Sequence, residues 1–153
     1  MPEDFDAWVR PHLLAMTRLA VRLTDSTGAD DVVQEALTRA WRRRGTFDAA
    51  RGDALPWLLA ITADRARRHR LRQRVTHPLT DRATPPHEDT EARLDLLAAV
   101  AALPRKQRLA VELHYFVGLD VSSTAQALGC APGTVKSQLS DARARLRTRL
   151  GGQ

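Results

Sequence analysis

The chain has 153 residues, with 24 Lys or Arg against 18 Asp or Glu, for a formal net charge of +6. That length allows one domain or two small ones, and the basic excess points to a polyanionic partner, either nucleic acid or an anionic membrane surface. One cysteine, Cys130, excludes an intramolecular disulfide framework, and no apolar run reaches the roughly 20 residues of a membrane span.

Of the basic residues 22 are Arg and 2 are Lys. Arginine suits phosphates and guanine edges, while a GC-rich coding sequence produces the same bias, so both readings stand. The N-terminus, "MPEDFDAWVRPHLL", is acidic and interrupted by Pro11. It does not read as a signal peptide, and a cytoplasmic location is expected.

Every readable segment is helical, and no period-2 stretch bounded by turn residues stands out. Leu13, Met16, Ala20 and Leu23 recur at steps of three and four, predicting a helix that starts near Pro11 and ends in "DSTG" at 25–28. A second helix is predicted from Ala29 to Arg44, with Val33, Leu37, Ala40 and Trp41 on one face and Gly45 as its stop. The polar stretch 46–53 is a loop. A third helix runs from Ala54 to Gln73 with Leu55, Leu58, Leu59 and Ile61 inward, and becomes basic toward its end.

Residues 75–90 carry three of the eight prolines and almost no apolar side chain, the composition of an extended, flexible linker. Four shorter helical patterns follow. The first covers 91–102 with Leu94, Leu97 and Ala101 inward, and the second runs from Pro104 to near Gly118. The third covers 122–128, capped by Ser122 or Ser123 and closed by Gly129, and the fourth starts at Pro132.

The last two patterns have helix-turn-helix grammar: a short helix, a stop at Gly129, a three-residue turn and a longer helix. Helical spacing puts Val135, Leu139, Ala142, Leu146 and Leu150 on an inward stripe. Gly133, Ser137, Ser140 and Asp141 fall opposite, with Thr134 and Lys136 beside them. A face that is small and polar first and arginine-rich later suits base edges and then phosphates. An amphipathic surface helix with a solvated face would look the same.

The N-terminal half has its own constellation. Asp31, Gln34, Glu35 and Thr38 share one helix edge, where several acceptors could meet arginine forks; Asp30 and Asp31 also suit a helix N-terminus through its dipole. Trp41 and Trp57 read as core, and Phe47 as a loop anchor. Six arginines lie within 65–74, a phosphate-tracking face or a solvated charge run. No catalytic or metal site is legible. His69, His77, His87 and His114 lack ligand spacing with one another and with Cys130, "GTVK" lacks the phosphate-loop spacing, and no cofactor is expected. Cys130 reads as a small filler or, less simply, as a redox sensor.

Leu103-Pro104, Tyr115-Phe116, Gly118-Leu119 and "GTVKS" at 133–137, in that order, make the C-terminal half similar to region 4 of bacterial sigma factors of the extracytoplasmic-function (ECF) group. Residues 28–73 resemble region 2 of the same family, and the resemblance covers about 5–74 and 92–150. It implies an all-α chain of two small helical domains: region 2 over 1–74, a linker over 75–90 and region 4 over 91–153. It also implies a factor that binds core RNA polymerase and directs promoter recognition, DNA melting and initiation. Asp31, Gln34, Glu35 and Thr38 would dock on the clamp of the largest subunit.

The same resemblance places a flipped downstream base at Arg51, Gly52 and Asp53, and downstream phosphates along Arg65, Arg68 and Arg72. Thr134, Lys136, Ser137, Gln138, Ser140 and Asp141 would face the upstream element, with Arg143 and Arg147 on its phosphates. An anti-sigma factor is the further partner implied. Two departures from the family pattern, "DVSSTAQAL" at 120–128 and Asp141, imply an atypical upstream sequence. The alternative is a stand-alone helix-turn-helix regulator binding as a dimer.

Overall fold

The structure, a computed structural model, describes residues 3–24, 27–76 and 88–151. All regular structure among them is helical: α1 (Phe5–Val9), α2 (Leu13–Leu23), α3 (Ala29–Arg42), α4 (Ala54–Thr76), α5 (Glu88–Ala101), α6 (Arg105–Val111), α7 (Val121–Leu128) and α8 (Pro132–Gly151). Short 3₁₀ turns at Arg10–His12 and Arg44–Thr46 link the early helices, and a π-helical turn at Glu112–Val117 prolongs α6.

Helices α2, α3 and α4 form the N-terminal bundle around Met16, Leu19, Ala20, Val32, Ala36, Leu58 and Leu59. Helix α4 is buried on a wide arc because α2, α3 and α7 all pack on it. The buried hydroxyl of Thr62 donates to the carbonyl of Leu58 at 2.8 Å and so is not an orphan donor.

A second core joins α5, α6, α7 and α8 through Val100, Leu103, Ala110, Val111, Ala125, Val135, Leu139 and Ala142. Glycines in the left-handed region end the π-helical turn and α7, Gly118 at φ 93° and Gly129 at φ 68°. A Cβ at either would strain the backbone, at Gly118 where the chain turns into α7 and at Gly129 where the helix-turn-helix changes direction.

Four local expectations change. The acidic N-terminus forms α1, started by the Asp4 carboxylate accepting from the Ala7 N–H at 3.1 Å, because a five-residue helix is too short to show a periodicity. Helix α7 is capped by Asp120, whose side chain accepts from the Ser123 N–H at 2.7 Å, and not by Ser122 or Ser123. Leu94 and Ala101 are exposed because the buried face of α5 is centred on Ala99 and Val100, and Leu150 is exposed at the end of α8. Trp41 is 46% exposed, since the buried face of α3 is centred on Val32, Ala36 and Ala40 and Trp41 falls at its rim.

The largest difference lies between the domains. A long tether suggests two separate units, yet Leu109, Leu113 and Leu119 of the C-terminal half join the N-terminal core. The linker expectation itself, over 75–90, falls mostly outside the described residues; its ends, 75–76 and 88–90, belong to α4 and α5.

Candidate polymerase and promoter interfaces

On α3 the buried residues Val32, Val33, Ala36 and Ala40 fix the opposite edge outward, so Asp31, Gln34 and Thr38 are exposed and Glu35 is half-buried. The acceptor edge expected from the sequence therefore exists. Glu35 is engaged: both its oxygens accept from Arg72 Nη2 of α4, at 2.9 and 3.1 Å. Two residues assigned to different surfaces are thus one ion pair, which sequence separation hid.

The three downstream arginines are all in ion pairs. Arg65 sits largely buried against Asp64 at 2.8 Å, Arg68 lies 3.3 Å from the same carboxylate, and Arg72 holds Glu35. Partial burial works to raise the Asp64 carboxyl, but the hydrogen bond from Arg65 and the charges of Arg65, Arg68 and Arg39 outweigh it, so its pKa lies below the ordinary value. Arg67, Arg70 and Arg74 occupy the opposite face of α4, and among the described residues none of them has an ion-pair partner.

Arg51, Gly52 and Asp53 do line one hollow, of about 210 Å³, with Thr46, Phe47, Asp48, Pro56 and Trp57. Its aromatic wall is braced from behind: Phe47 and Trp57 lie 5.3 Å apart, and Trp8 packs edge-on to both. Asp48 shapes the loop by accepting from the Ala50 N–H at 2.9 Å and lying 3.5 Å from the Arg51 guanidinium. Nearby, burial lowers the His12 pKa and the Asp53 charge partly restores it. Flat rings beside small polar groups suit an unstacked base. One wall comes from the other domain: a Cβ at Gly52 would lie 2.7 Å from Oε1 of Gln126, so a larger residue there would push the flexible end of that side chain aside. Neither Trp8 nor Gln126 carries any sequence signal for this role.

On α8, Val135, Leu139 and Ala142 are buried and turn Thr134, Lys136, Ser137, Ser140 and Asp141 to solvent, with Gln138 half-buried at the edge. Arg143 and Arg147 are exposed further along. Arg143 is positioned by Tyr115, whose hydroxyl accepts from its Nη1 at 2.8 Å. The face begins polar and ends cationic, as a groove-reading helix requires.

Across the domain boundary, Arg22 of α2 grips Glu112 with two hydrogen bonds, Nε to Oε2 at 2.8 Å and Nη2 to Oε1 at 3.2 Å. The Arg22 guanidinium also lies 3.6 Å over the Phe116 ring, and Arg108 donates to the Arg22 carbonyl at 3.0 Å. Burial lowers the Arg108 pKa, as does the nearby Arg70 charge, while Glu112 acts to raise it. A buried glutamate in "LAVELHYF" was the only sign of this contact in the sequence.

Family models for sigma-70 region 2 and sigma-70 region 4 match residues 8–76 and 93–146. The chain is 39% identical to the ECF RNA polymerase sigma factor SigM of Mycobacterium tuberculosis, covering 96% of this chain and 77% of that protein. It is 36% identical to the RNA polymerase sigma-E factor of Streptomyces coelicolor, covering 96% and 86%. Among solved structures, the sigma factor RpoE of Bartonella quintana in complex with the anti-sigma factor NepR superposes with a TM-score of 0.73 at 28% identity, over 98% of both chains. CnrH, solved with the cytosolic domain of CnrY, shares the fold at 23% identity and a TM-score of 0.73. Both regions occur here in family order, on a fold that keeps their exposed faces distinct, and the chain belongs to the ECF group of the sigma-70 family of RNA polymerase sigma factors.

Proposed function

We propose that this sigma factor divides its work among three exposed surfaces. The α3 edge at Asp31, Gln34, Glu35 and Thr38 docks on the largest-subunit clamp of core polymerase. The hollow at Arg51, Gly52 and Asp53 captures a downstream base, while Arg68 and Arg72 approach downstream phosphates by exchanging carboxylate partners for DNA, and the largely buried Arg65 holds Asp64 in place. The exposed face of α8, from Thr134 to Asp141, reads the upstream element, and Arg143 and Arg147 hold its backbone. The factor acts in the cytoplasm, without catalytic chemistry of its own. No helix among the described residues is long and apolar enough to cross a membrane.

The observation that carries this reading is the aromatic-walled hollow at Gly52, because a stand-alone helix-turn-helix regulator has no use for a base pocket on a second domain. Gln126 of α7 lines one side of that hollow, so a base that enters displaces the end of its side chain. An anti-sigma factor would act by holding the domains together; the similarity to RpoE, solved in complex with the anti-sigma factor NepR, supports that partner class. The decisive experiment is run-off transcription with purified core polymerase over a promoter library. Enrichment of a two-part promoter dependent on this chain is expected. DNA binding as a dimer without core polymerase, and no run-off product with it, would overturn the reading.

A further inference from the structure

The six arginines of α4 divide into two stripes with the same i, i+3, i+7 spacing. Arg65, Arg68 and Arg72 carry carboxylate partners on one face. Arg67, Arg70 and Arg74 face the other way, into a groove between the two domains, where Arg105 and Arg108 of α6 meet them. The groove has a volume of about 320 Å³, and no carboxylate is among the described residues that line it. Among the described residues, the carboxylate in contact with these arginines is Glu112, 4.0 Å from Arg108 and already held by Arg22. Five like charges therefore converge where the domains close.

We propose that this groove binds a compact polyphosphate anion of the nucleoside-polyphosphate class, which bridges α4 and α6 and holds the two domains together. Phosphate oxygens match arginine forks and offset their mutual repulsion. Arg70 and Arg108 feel that repulsion: burial lowers the pKa of each, and neighbouring arginines lower it further. The remaining wall is apolar, made by Leu23, Leu71, Leu103 and Leu109, and gives a nucleobase a surface to lie on. A site at a domain junction, part apolar and part convergent polar, is where small ligands bind, and this volume lies near the lower end of their usual range of about 300–1,000 Å³.

Duplex DNA is too wide to enter a space of this size between two domains. A ligand that binds only the closed arrangement shifts the population toward it. The proposal does not rest on the residue assignments made for polymerase or promoter, and its test uses neither.

The test is isothermal titration of the full chain at fixed ionic strength, with adenosine triphosphate and, separately, sodium tripolyphosphate. We expect one saturable site per chain, with the nucleotide bound more tightly. Arg70→Gln/Arg105→Gln should weaken binding about tenfold or more. Arg18→Gln/Arg42→Gln, which removes equal charge from exposed positions on α2 and α3 outside the groove, should leave it within about twofold. Equal affinity for the two probes would keep the site and identify inorganic polyphosphate as its source. Equal losses in both double variants would show attraction by net charge alone and overturn the proposal. So would no saturable binding of either probe, or saturable binding of an oligoglutamate peptide only.

Discussion

Arg22 and Glu112 stand 90 residues apart and form a bidentate ion pair across the domain boundary, with the glutamate side chain only 1% exposed. Opposite charges so placed are strong only as a pair. Arg22→Met strands a buried carboxylate and should cost about 3 kcal/mol, somewhat less if Arg108 moves in. The double variant Arg22→Met/Glu112→Met should recover most of that loss, since an apolar pair needs no compensation. Chemical denaturation of the three proteins decides; a double variant as unstable as the single would show that the pair is not what the interface depends on.

The acceptor edge of α3 can be separated into a free part and an engaged part. Asp31→Lys meets no internal partner among the described residues and should weaken core binding by about 1–3 kcal/mol with the melting temperature unchanged. Glu35→Lys should do the same and also release Arg72, so a small loss of stability accompanies it. Surface-plasmon measurement with core polymerase, alongside circular dichroism, checks both. Unaltered core affinity in a folded Asp31→Lys/Glu35→Lys protein would remove this edge from the docking surface.

Reading and holding should come apart along α8. Arg147→Ala should weaken promoter binding for every sequence and reduce the salt slope by about one. Ser137→Ala and Asp141→Arg should instead change the preferred upstream sequence, by about 1–3 kcal/mol per base contact. A promoter-library selection distinguishes them, and unchanged preference in both reading-face variants means α8 does not read bases.

The composition of 75–90, polar and proline-rich, predicts first cleavage there in limited proteolysis. Because Leu109, Leu113 and Leu119 share the N-terminal core, the two fragments should stay associated in native buffer and part only in denaturant. Gel filtration of the nicked protein tests this, with two separately eluting fragments as the contrary result.

Asp120 offers a pH-dependent signature. Hydrogen bonds from the Ser123 backbone N–H and side chain hold its carboxyl below the ordinary 3.8. A depressed folded-state pKa means that its stabilisation is complete above the unfolded value and is lost as pH falls through the folded one. The melting temperature of Asp120→Ala should therefore lie below the parent at neutral pH, and the two curves should converge below pH 3.8. A constant gap down to the acid limit would assign the effect to packing.

The helices long enough to repeat their pattern were legible without coordinates. Met16, Ala20 and Leu23 on α2, and Val135, Leu139 and Ala142 on α8, turn inward as their spacing requires, because a 3.6-residue period leaves one face to bury. The outward faces followed by exclusion, which is why Asp31, Gln34 and Thr38, and Thr134 to Asp141, are where the sequence put them. Pairings between distant segments were not legible: Glu35 with Arg72, Arg22 with Glu112, Gln126 over Gly52, and the division of one arginine run into a partnered and an unpartnered stripe. Periodicity assigns a residue to a face of its own helix and says nothing about which other helix meets that face. That choice belongs to tertiary packing, and it decided that this chain folds with its two domains joined.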